Sequence, residues 1–229
     1  MFRPSLAQPP AFSSSHPDMK PVHRRAVECA LRWAWLQVVA TKPTLVSSAS
    51  EEEITYEIEK VLNRRANGVR AAPGLRDFET VVRGAKQETA DGRIEKEPDL
   101  TFRPPVSGYR AVTSTSDWGL FVEAKLLEIG HSTRTVGGYV DNGVQRFVDG
   151  EYARRMSSGL MVAYVRDERL PLEALSALNP QSAKGDDDRI CSSVHQRNML
   201  TVPCVEITLR HLWLDARAVL QQKRHAVSP

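Results

Sequence analysis

The sequence is short of cysteine and of long apolar runs. Its three cysteines, Cys29, Cys191 and Cys204, form neither a CxxC pair nor the even set of a disulfide framework. They are therefore expected to be reduced thiols. No stretch approaches the ~20 consecutive apolar residues of a membrane-spanning helix, and residues 1–20 lack the apolar segment of a secretory signal. The chain is thus expected to be a cytoplasmic protein without a membrane contact.

Several motifs of known chemistry are also missing. The six histidines are scattered, and neither HExxH nor paired cysteines are present to form a zinc site. There is no GxxxxGK[ST] loop, so an ATP-driven step would need another chain. Cys191 and His195 lie four positions apart, but no glycine motif or orienting acid accompanies them as a thiol nucleophile requires. Zinc enzymes, P-loop ATPases and cysteine hydrolases are therefore disfavoured.

What the chain does contain is enough apolar material for one mid-sized α/β domain. Its 229 residues are 41% hydrophobic and 26% charged, which is ordinary for a globular protein. The net charge of +3 is only weakly basic, so charge alone does not require a polyanionic partner. The function must therefore be argued from particular residues.

The hydrophobic pattern predicts a mixed order of helices and strands. Residues 1–17 are rich in proline and serine and are expected to form a flexible arm, with a basic tail at 216–229. A helix is predicted over 21–39, ended by Pro43, and a second over 51–65, begun by a capping box. Strands are predicted at 78–83, 94–102, 118–127, 160–165 and 204–213, helices at 140–156 and 170–178, and a solvated loop at 181–189. One mixed sheet with helices on both faces fits this order best.

One predicted strand carries two charges within an apolar run. In the segment 120–127, strand alternation puts Glu123 and Lys125 on the same face as Phe121. Burying two charges is costly unless they are paired or bound to an ion. The pattern therefore indicates a buried ion pair, an edge strand with a wet polar face, or a metal site. Asp99 on the preceding predicted strand favours the metal site.

An Asp followed by a Glu and a Lys two positions apart is the arrangement that a metal-dependent phosphodiesterase needs. Two carboxylates can hold a hard divalent cation, which prefers oxygen ligands. The lysine would lie near the nucleophilic water or a phosphate oxygen. The residues Asp99, Glu123 and Lys125 thus predict cleavage of nucleic acid.

Pro98-Asp99 followed by Glu123-x-Lys125 resembles the motif of the PD-(D/E)xK nucleases, which have the restriction-endonuclease-like fold. The predicted order over 50–165, about half the chain, is similar to that family's core of a helix, three strands, a helix and a strand. The separation of 24 positions between the two acids is longer than usual for the family and implies an extended loop between the strands. The resemblance implies an α/β nuclease domain over 46–215, with a mixed central sheet flanked by helices and an extra N-terminal helix at 18–45.

The resemblance also implies roles for the motif residues. Asp99 and Glu123 would bind Mg²⁺ (or Mn²⁺), with the backbone carbonyl of Ala124 as a further ligand. Lys125 would orient or deprotonate the attacking water and offset charge on the phosphate. These roles match the oxygen ligands and activated water of metal-assisted displacement at phosphorus.

Members of this family often add an acid from the first core helix. Glu51 falls within the inward-facing stripe of the predicted helix and Glu57 on its margin, so Glu51 is favoured and Glu57 is the alternative. Acids at a helix N-terminus that only complement the dipole would give the same pattern. In some branches a Gln on the following helix helps to place the site, and Gln145, with Tyr152 after it, occupies the matching location. A surface position on an amphipathic helix is the alternative for Gln145.

The prediction is therefore a Mg²⁺-dependent endonuclease that acts on duplex DNA. Basic residues around the helix after the lysine strand would form a rim for phosphate contacts, with a solvated basic face as the alternative. These residues are Arg134, Arg146, Arg154 and Arg155. The alternatives are an RNA- or structure-specific nuclease with the same site, and an inactive nuclease fold kept as a structural or nucleic-acid-binding subunit.

A partner is also predicted. The chain has no separate recognition domain, so a homodimer or a complex with an ATPase or a specificity subunit is expected. The helix over 21–39, with Trp33 and Trp35, has more apolar surface than one contact face needs and is expected to dock that partner. By analogy with other nucleases, prokaryotic defence or a mobile element is the expected setting.

Overall fold

The structure is a computed structural model. It describes residues 15–85, 87–88, 94–109, 112, 117–128, 130–166, 176, 178, 183–184, 189–198 and 202–216. The helices are α1 (Pro21–Thr41), α2 (Pro43–Ser48), α3 (Glu51–Leu62), α4 (Val136–Tyr139) and α5 (Gln145–Val148), with a π-helical turn at Val140–Val144 between the last two. The strands are β1 (Arg65–Ala66), β2 (Val69–Arg70), β3 (Gln87–Glu88), β4 (Ile94–Lys96), β5 (Leu100–Phe102), β6 (Leu120–Leu127), β7 (Ser158–Val165), β8 (Ala183–Lys184), β9 (Ile190–Gln196) and β10 (Glu206–Asp215).

The central sheet is mixed and has the strand order β5-β6-β7-β10-β9-β8, in which β8 is only a two-residue edge. Strand β7 pairs in parallel with both β6 and β10, and the other pairs are antiparallel. The β1–β2 and β3–β4 pairs form separate two-stranded sheets. The predicted α/β class, a mixed sheet flanked by helices, is thereby confirmed at this level.

Helices cover both faces of the sheet, because the strands bury apolar side chains on each side. Val122, Ala124 and Leu126 of β6 join a core with α1 and α3. Phe121 lies on the opposite face, in a second core with Phe147 of α5. The predicted alternation of β6 is confirmed, and it leaves Glu123 and Lys125 on the face covered by α4, the π-turn and α5.

The predicted capping box starts α3. The Ser50 side chain accepts a hydrogen bond from the Glu53 backbone N–H, and the Glu53 carboxylate accepts one from the Ser50 backbone N–H. The helix ends at Leu62, three residues before the predicted end. Asn63 caps it. The side-chain amide of Asn63 donates to the Val81 carbonyl and accepts the Val81 backbone N–H.

The predicted strand 78–83 is wrong, because regular pairing there is limited to one bridge between Val82 and Thr101. The backbone N–H groups of Glu79 and Gly84 also bond to the segment around β5, but out of the register of a continuous ladder. The predicted strand 94–102 is also divided, into β4 and β5. Pro98 lies in the gap and has no N–H to donate to a ladder.

The C-terminal half differs from prediction at three places. The helix predicted to reach residue 156 ends at Val148 and is followed by Gly150 and Ala153, both with positive φ. Residues 183–184, expected in a loop, are a strand, and β9 was not predicted at all. Its sequence, ICSSVHQ, lacks the apolar alternation that marks a strand. Most of the predicted helix 170–178 lies outside the described residues.

Both ends of the described chain are anchored. Residues 1–14 and 217–229 lie outside the described part of the chain, so the predicted arm and tail are visible only at residues 15–17 and 216. There His16 and Ala216 are buried. The His16 backbone N–H donates to the carbonyl of Arg155, and its side chain lies 3.0 Å from a carboxylate oxygen of Asp117.

Helix α1 is part of the domain core. Trp35 is 4% exposed, stacks on the ring of Tyr164 in β7 and donates its indole N–H to the carbonyl of Asp215. The apolar surface of Trp35 that was assigned to a partner is thus covered by the chain's own sheet. No helix in the described segments is both long and apolar enough to cross a membrane.

Candidate active site

The two acids of the motif meet just before β5 begins, beside β6. Leu100 at the start of β5 pairs with Val122, so Asp99 lies just beyond the last paired residue and beside Glu123. From this point β6 has no strand on that edge in the described sheet, and its outward backbone groups need other partners. The backbone N–H of Ala124 donates to Asp99 Oδ2 at 2.7 Å.

The same open edge also holds the glutamate from α3. Glu51 Oε2 accepts the backbone N–H of Leu126 at 2.7 Å. Alternate residues of a strand present their backbone groups to the same side, so Asp99 and Glu51 occupy successive sites along one edge of β6. The amides of the unpaired edge thus draw two carboxylates to one place through charge-assisted hydrogen bonds.

Of the two candidate glutamates, the structure brings only Glu51 to the motif. Its Oε1 lies 2.9 Å from the Lys125 ammonium. Glu57 instead contacts Lys42 at 2.8 Å and Lys60 at 3.2 Å. These cations lower the pKa of Glu57, and the first of them, Lys42, has the larger effect. Glu51 is therefore the helix acid of the candidate site.

Glu123 is the most buried charge of the site. Its side chain is 2% exposed, and Oε1 lies 2.9 Å from Lys125 Nζ and 3.0 Å from Arg146 Nη1. Burial raises the pKa of Glu123 to about 8, with a further contribution from the charge of Asp99, against the opposing effect of the two cations. The second oxygen, Oε2, is buried and has no hydrogen-bond partner in the described part of the chain.

Lys125 lies at the centre of the carboxylates. Its ammonium contacts Glu51 and Glu123, each at 2.9 Å, and donates to the Ala124 carbonyl at 2.8 Å. Burial acts to lower the pKa of Lys125, but the charges of the surrounding carboxylates outweigh it and raise the pKa. The lysine is therefore a proton donor in this arrangement, which suits orientation of a water or a phosphate oxygen better than abstraction of a proton.

The helix after β6 contributes Arg146 rather than Gln145. Gln145 is exposed, and its amide donates to Asp149 one turn further on. The neighbouring Arg146 contacts Glu123 and donates to the hydroxyl of Tyr152 at 2.7 Å. A π-turn adds a residue to the turn of a helix, so it changes which downstream side chain faces the sheet. The sequence pattern, which assumes the α-helical period, cannot show this shift.

Two other residues of the predicted basic rim contact acids outside the motif. Arg134 pairs with Glu128 at 2.5 Å and Arg155 with Asp117 at 2.9 Å. Arg134 nevertheless lines the cleft that opens onto Lys125. Arg146, in contrast, contacts the motif carboxylate of Glu123.

Two clefts reach Glu51, Lys125 and Asp99 of this group, whereas Glu123 lines neither of them. A cleft of about 350 Å³ is lined by Glu51, Lys125 and the loop before α4. A second, of about 450 Å³, is lined by Thr55, Pro98 and Asp99. The two clefts share Glu52 at the N-terminus of α3. An extended ligand could therefore reach the motif from either side of the helix terminus.

The residues present fit a small, hard divalent ion that keeps several waters. No group of three or more His, Cys, Asp or Glu side chains is arranged to hold a metal within the described segments. Asp99 and Glu123 do offer two neighbouring carboxylates, and one buried Glu123 oxygen lacks any other partner. Mg²⁺ is typically bound by one or two carboxylates with water completing its shell. The Ala124 carbonyl lies on the same edge as Asp99 but accepts a hydrogen bond from Lys125.

Comparisons with family models, with curated proteins and with solved structures find no match for this chain. The site must therefore be interpreted from its own geometry.

Proposed function

We propose that this protein is a Mg²⁺-dependent endonuclease that hydrolyses phosphodiester bonds in DNA and has a restriction-endonuclease-like core. The observation that carries the proposal is the buried Glu123 carboxylate. One of its oxygens is held by two cations, while the other has no partner among the described residues, and the carboxylate lies beside Asp99. An unpaired oxygen in this position is what an ion-binding carboxylate requires.

The purely structural alternative explains less. A buried ion pair is stable only when its remaining lone pairs are also satisfied. Lys125 and Arg146 both contact the same oxygen, Oε1, so they leave the Oε2 atom of Glu123 uncompensated. The Ala124 N–H explains the position of Asp99, but the charge of Asp99 there raises the pKa of Glu123, which works against a purely structural ion pair.

The order of elements around the site agrees with the same proposal. Helix α3 is followed by the antiparallel pair β5–β6, then by the α4–α5 segment and by β7, which is parallel to β6. The core implied by the motif has this order from its second strand onward. The strand expected at 78–83 is missing, so the agreement is limited to these elements.

Each residue has a defined task in hydrolysis. Asp99 and Glu123 would hold the ion, which when bound supplies Lewis-acid activation of water and of the phosphate. Lys125, held protonated, would orient the attacking water or a phosphate oxygen and offset the negative charge that develops on phosphorus. Glu51 keeps the lysine in place. In the reaction water attacks phosphorus, one P–O bond breaks, and the leaving oxygen gains a proton.

The test combines Mg²⁺ calorimetry with cleavage of supercoiled plasmid DNA. The parent is expected to bind Mg²⁺ and to cleave the plasmid only when the ion is present. Asp99→Asn and Glu123→Gln should lose both properties, and Lys125→Met should lose about 10²–10³-fold in cleavage rate, as when a group that stabilises a transition state is removed. Glu206→Gln, which changes an exposed carboxylate on β10, is the matched control.

A parent protein that binds no divalent ion and leaves the DNA intact would refute this proposal. So would Asp99→Asn and Glu123→Gln variants that cleave as fast as the parent. Parallel incubations with single-stranded DNA, duplex DNA and RNA separate the DNA endonuclease from an RNA- or structure-specific enzyme. Nucleic-acid binding without cleavage of any of them would favour an inactive nuclease fold.

We further propose that the nuclease acts with a second copy or with an ATPase or specificity subunit, plausible settings being prokaryotic defence or a mobile element. The support is the resemblance of the Asp99, Glu123 and Lys125 motif to nucleases that act with such partners. Light scattering of the full chain, alone and with DNA, would detect self-association.

A further inference from the structure

Tyr152 lies between the two segments that carry the motif acids. Its hydroxyl accepts a hydrogen bond from Arg146 at 2.7 Å and donates one to the backbone carbonyl of Glu97 at 3.1 Å. Glu97 directly precedes Pro98-Asp99, and Arg146 in turn contacts Glu123 Oε1 at 3.0 Å. A continuous chain of hydrogen bonds therefore joins the backbone beside Asp99 to the carboxylate of Glu123.

Neighbouring side chains pack against the Tyr152 ring in this chain of hydrogen bonds. The Tyr152 ring is 2% exposed and packs edge-on against Phe147 of α5, with ring centroids 5.6 Å apart. The guanidinium carbon of Arg146 lies 5.7 Å from the centroid of the same ring. The residues come from α5 and from the turn after it, so neither is part of the strands that they join.

The consequence for Glu123 is a fixed orientation of its carboxylate. Arg146 and Lys125 both contact Oε1, and their combined pull leaves Oε2 as the atom available to an ion. The connection through Tyr152 to Glu97 matters because β5 begins only at Leu100, so the ladder with β6 does not include Asp99. The Ala124 N–H holds one Asp99 oxygen against β6, and the Tyr152 bond to Glu97 holds the backbone from which Asp99 extends.

We infer that Arg146 and Tyr152 are positioning residues for the divalent ion, an inference that rests on the proposed function. With the Ala124 N–H on Asp99 and Lys125 on Glu123, they set the distance between the two carboxylates and the direction of the free Glu123 oxygen. Neither residue touches the ion or the phosphate in this role. Outer residues that orient metal ligands typically change metal affinity or activity by about 10- to 100-fold when they are mutated.

The decisive variant is Tyr152→Phe, which removes the hydroxyl and keeps the ring against Phe147. Mg²⁺ and Mn²⁺ affinities would be measured by calorimetry on the full chain without nucleic acid. The expected loss is about 10- to 100-fold in affinity for both ions, with little change in melting temperature. The matched control is Tyr109→Phe, which also removes a hydroxyl with two hydrogen-bonding neighbours, the Lys20 N–H and the His23 ring.

A second variant, Arg146→Lys, keeps the positive charge but lacks the planar guanidinium that reaches Glu123 and Tyr152 together. It is expected to weaken the binding of both ions to a similar degree. Because the two residues act through one connection, the double variant should bind no more than about twofold more weakly than the worse single variant. A general loss of stability would not produce this non-additive pattern in metal affinity.

The pattern of ion affinities across the variants decides the inference. Weaker binding in both single variants, non-additive in the double variant and absent in Tyr109→Phe, supports the inference. Parent-like affinity in both Tyr152→Phe and Arg146→Lys overturns it, and the proposed function then stands if Asp99→Asn still abolishes binding. Additive losses also overturn it. A parent that binds neither ion overturns the proposed function and this inference together, and if Tyr152→Phe does not fold, Arg146→Lys alone decides.

Discussion

At the scale of single residues, the centre of the site consists of several carboxylates around one ammonium group, that of Lys125. Lys125 contacts Glu51 and Glu123 at the same distance of 2.9 Å. Its side chain is 16% exposed, so the contacts are weakly screened by solvent. A single lysine thus stabilises in the ion-free protein a set of acids that would otherwise repel one another.

Lys125→Met should therefore destabilise the ion-free protein by up to about 3 kcal/mol, because it removes one of the two cations beside the buried Glu123. Added Mg²⁺ should recover part of this loss, since an ion that binds only the folded state stabilises it. Urea unfolding with EDTA and with Mg²⁺ measures both effects. A larger Mg²⁺-dependent gain is expected in the variant than in the parent, and an equal or smaller gain would contradict this account of the lysine.

The sequence was sufficient to find the motif residues but not the atoms that position them. Glu123 and Lys125 follow from strand alternation, Asp99 from the nuclease-like motif, and Glu51 from the resemblance with helical periodicity. The structure brings all four together. Arg146 was predicted only as part of a basic rim. Its contact with Glu123 depends on tertiary placement of a helix, which local periodicity does not contain.

At the scale of elements, the π-turn between α4 and α5 brings the helical segment close to β6 and β7. A Cβ on Gly143 would lie 2.5 Å from Met161 Cε and 3.5 Å from Lys125 Cγ. The glycine therefore permits a close approach of this turn to the strand that carries the lysine. Single π-turns within α-helices often occur at functional sites.

Gly143→Ala is expected to destabilise the protein by about 1 kcal/mol, the low end of overpacking costs, because the new Cβ meets the flexible end of the Met161 side chain. It should also lower cleavage, because the same displacement moves the α5 segment that carries Arg146. Thermal unfolding and the plasmid assay measure the two effects.

The control for this change is Gly137→Ala in α4, where a new Cβ would meet only Thr135 Oγ1 at 3.6 Å. Replacing a helical glycine with alanine without a clash should be neutral or stabilise by up to about 1 kcal/mol. Parent-like stability and cleavage in Gly143→Ala would show that the close approach is unimportant.

The elements that were predicted correctly are those whose signal is local. The capping box of Ser50 and Glu53 and the buried run of β7 were both found in the sequence. Strand β9 was missed because its side chains alternate poorly, and its backbone is held by pairing with β10. Non-local pairing of this kind leaves little trace in the strand's own residues.

At the scale of the whole molecule, α1 closes the face of the sheet opposite to α5. Tyr164 in β7 is the meeting point, since Trp35 of α1 stacks on its ring and Thr55 of α3 lies 3.0 Å from its hydroxyl. The N-terminal helix is therefore integral to the domain, although the sequence suggested an appended docking element. The apolar face of an amphipathic helix indicates that another surface must cover it. The sequence does not indicate whether that surface belongs to the same chain or to a partner.

Trp35→Ala should consequently cost about 3–5 kcal/mol of unfolding free energy, the usual range for removing a buried tryptophan. Leu36→Ala is the neighbouring control, because Leu36 is 59% exposed. Surface changes of this kind usually remain within about 0.5 kcal/mol. Chemical denaturation of the two variants measures the difference. If the Trp35→Ala protein were as stable as the parent, α1 would not be integral to the domain, and the docking role predicted from the sequence would be favoured.

The cap of α3 links a position near the surface to the candidate site. Glu51 is the first residue after Ser50, so the acid that contacts Lys125 depends on one well-closed helical turn. Loosening that turn would weaken this contact without altering the residues proposed to meet the phosphate. Replacing the partly exposed Ser50 would thus give an engineer graded attenuation of the proposed activity, in place of an on–off mutation.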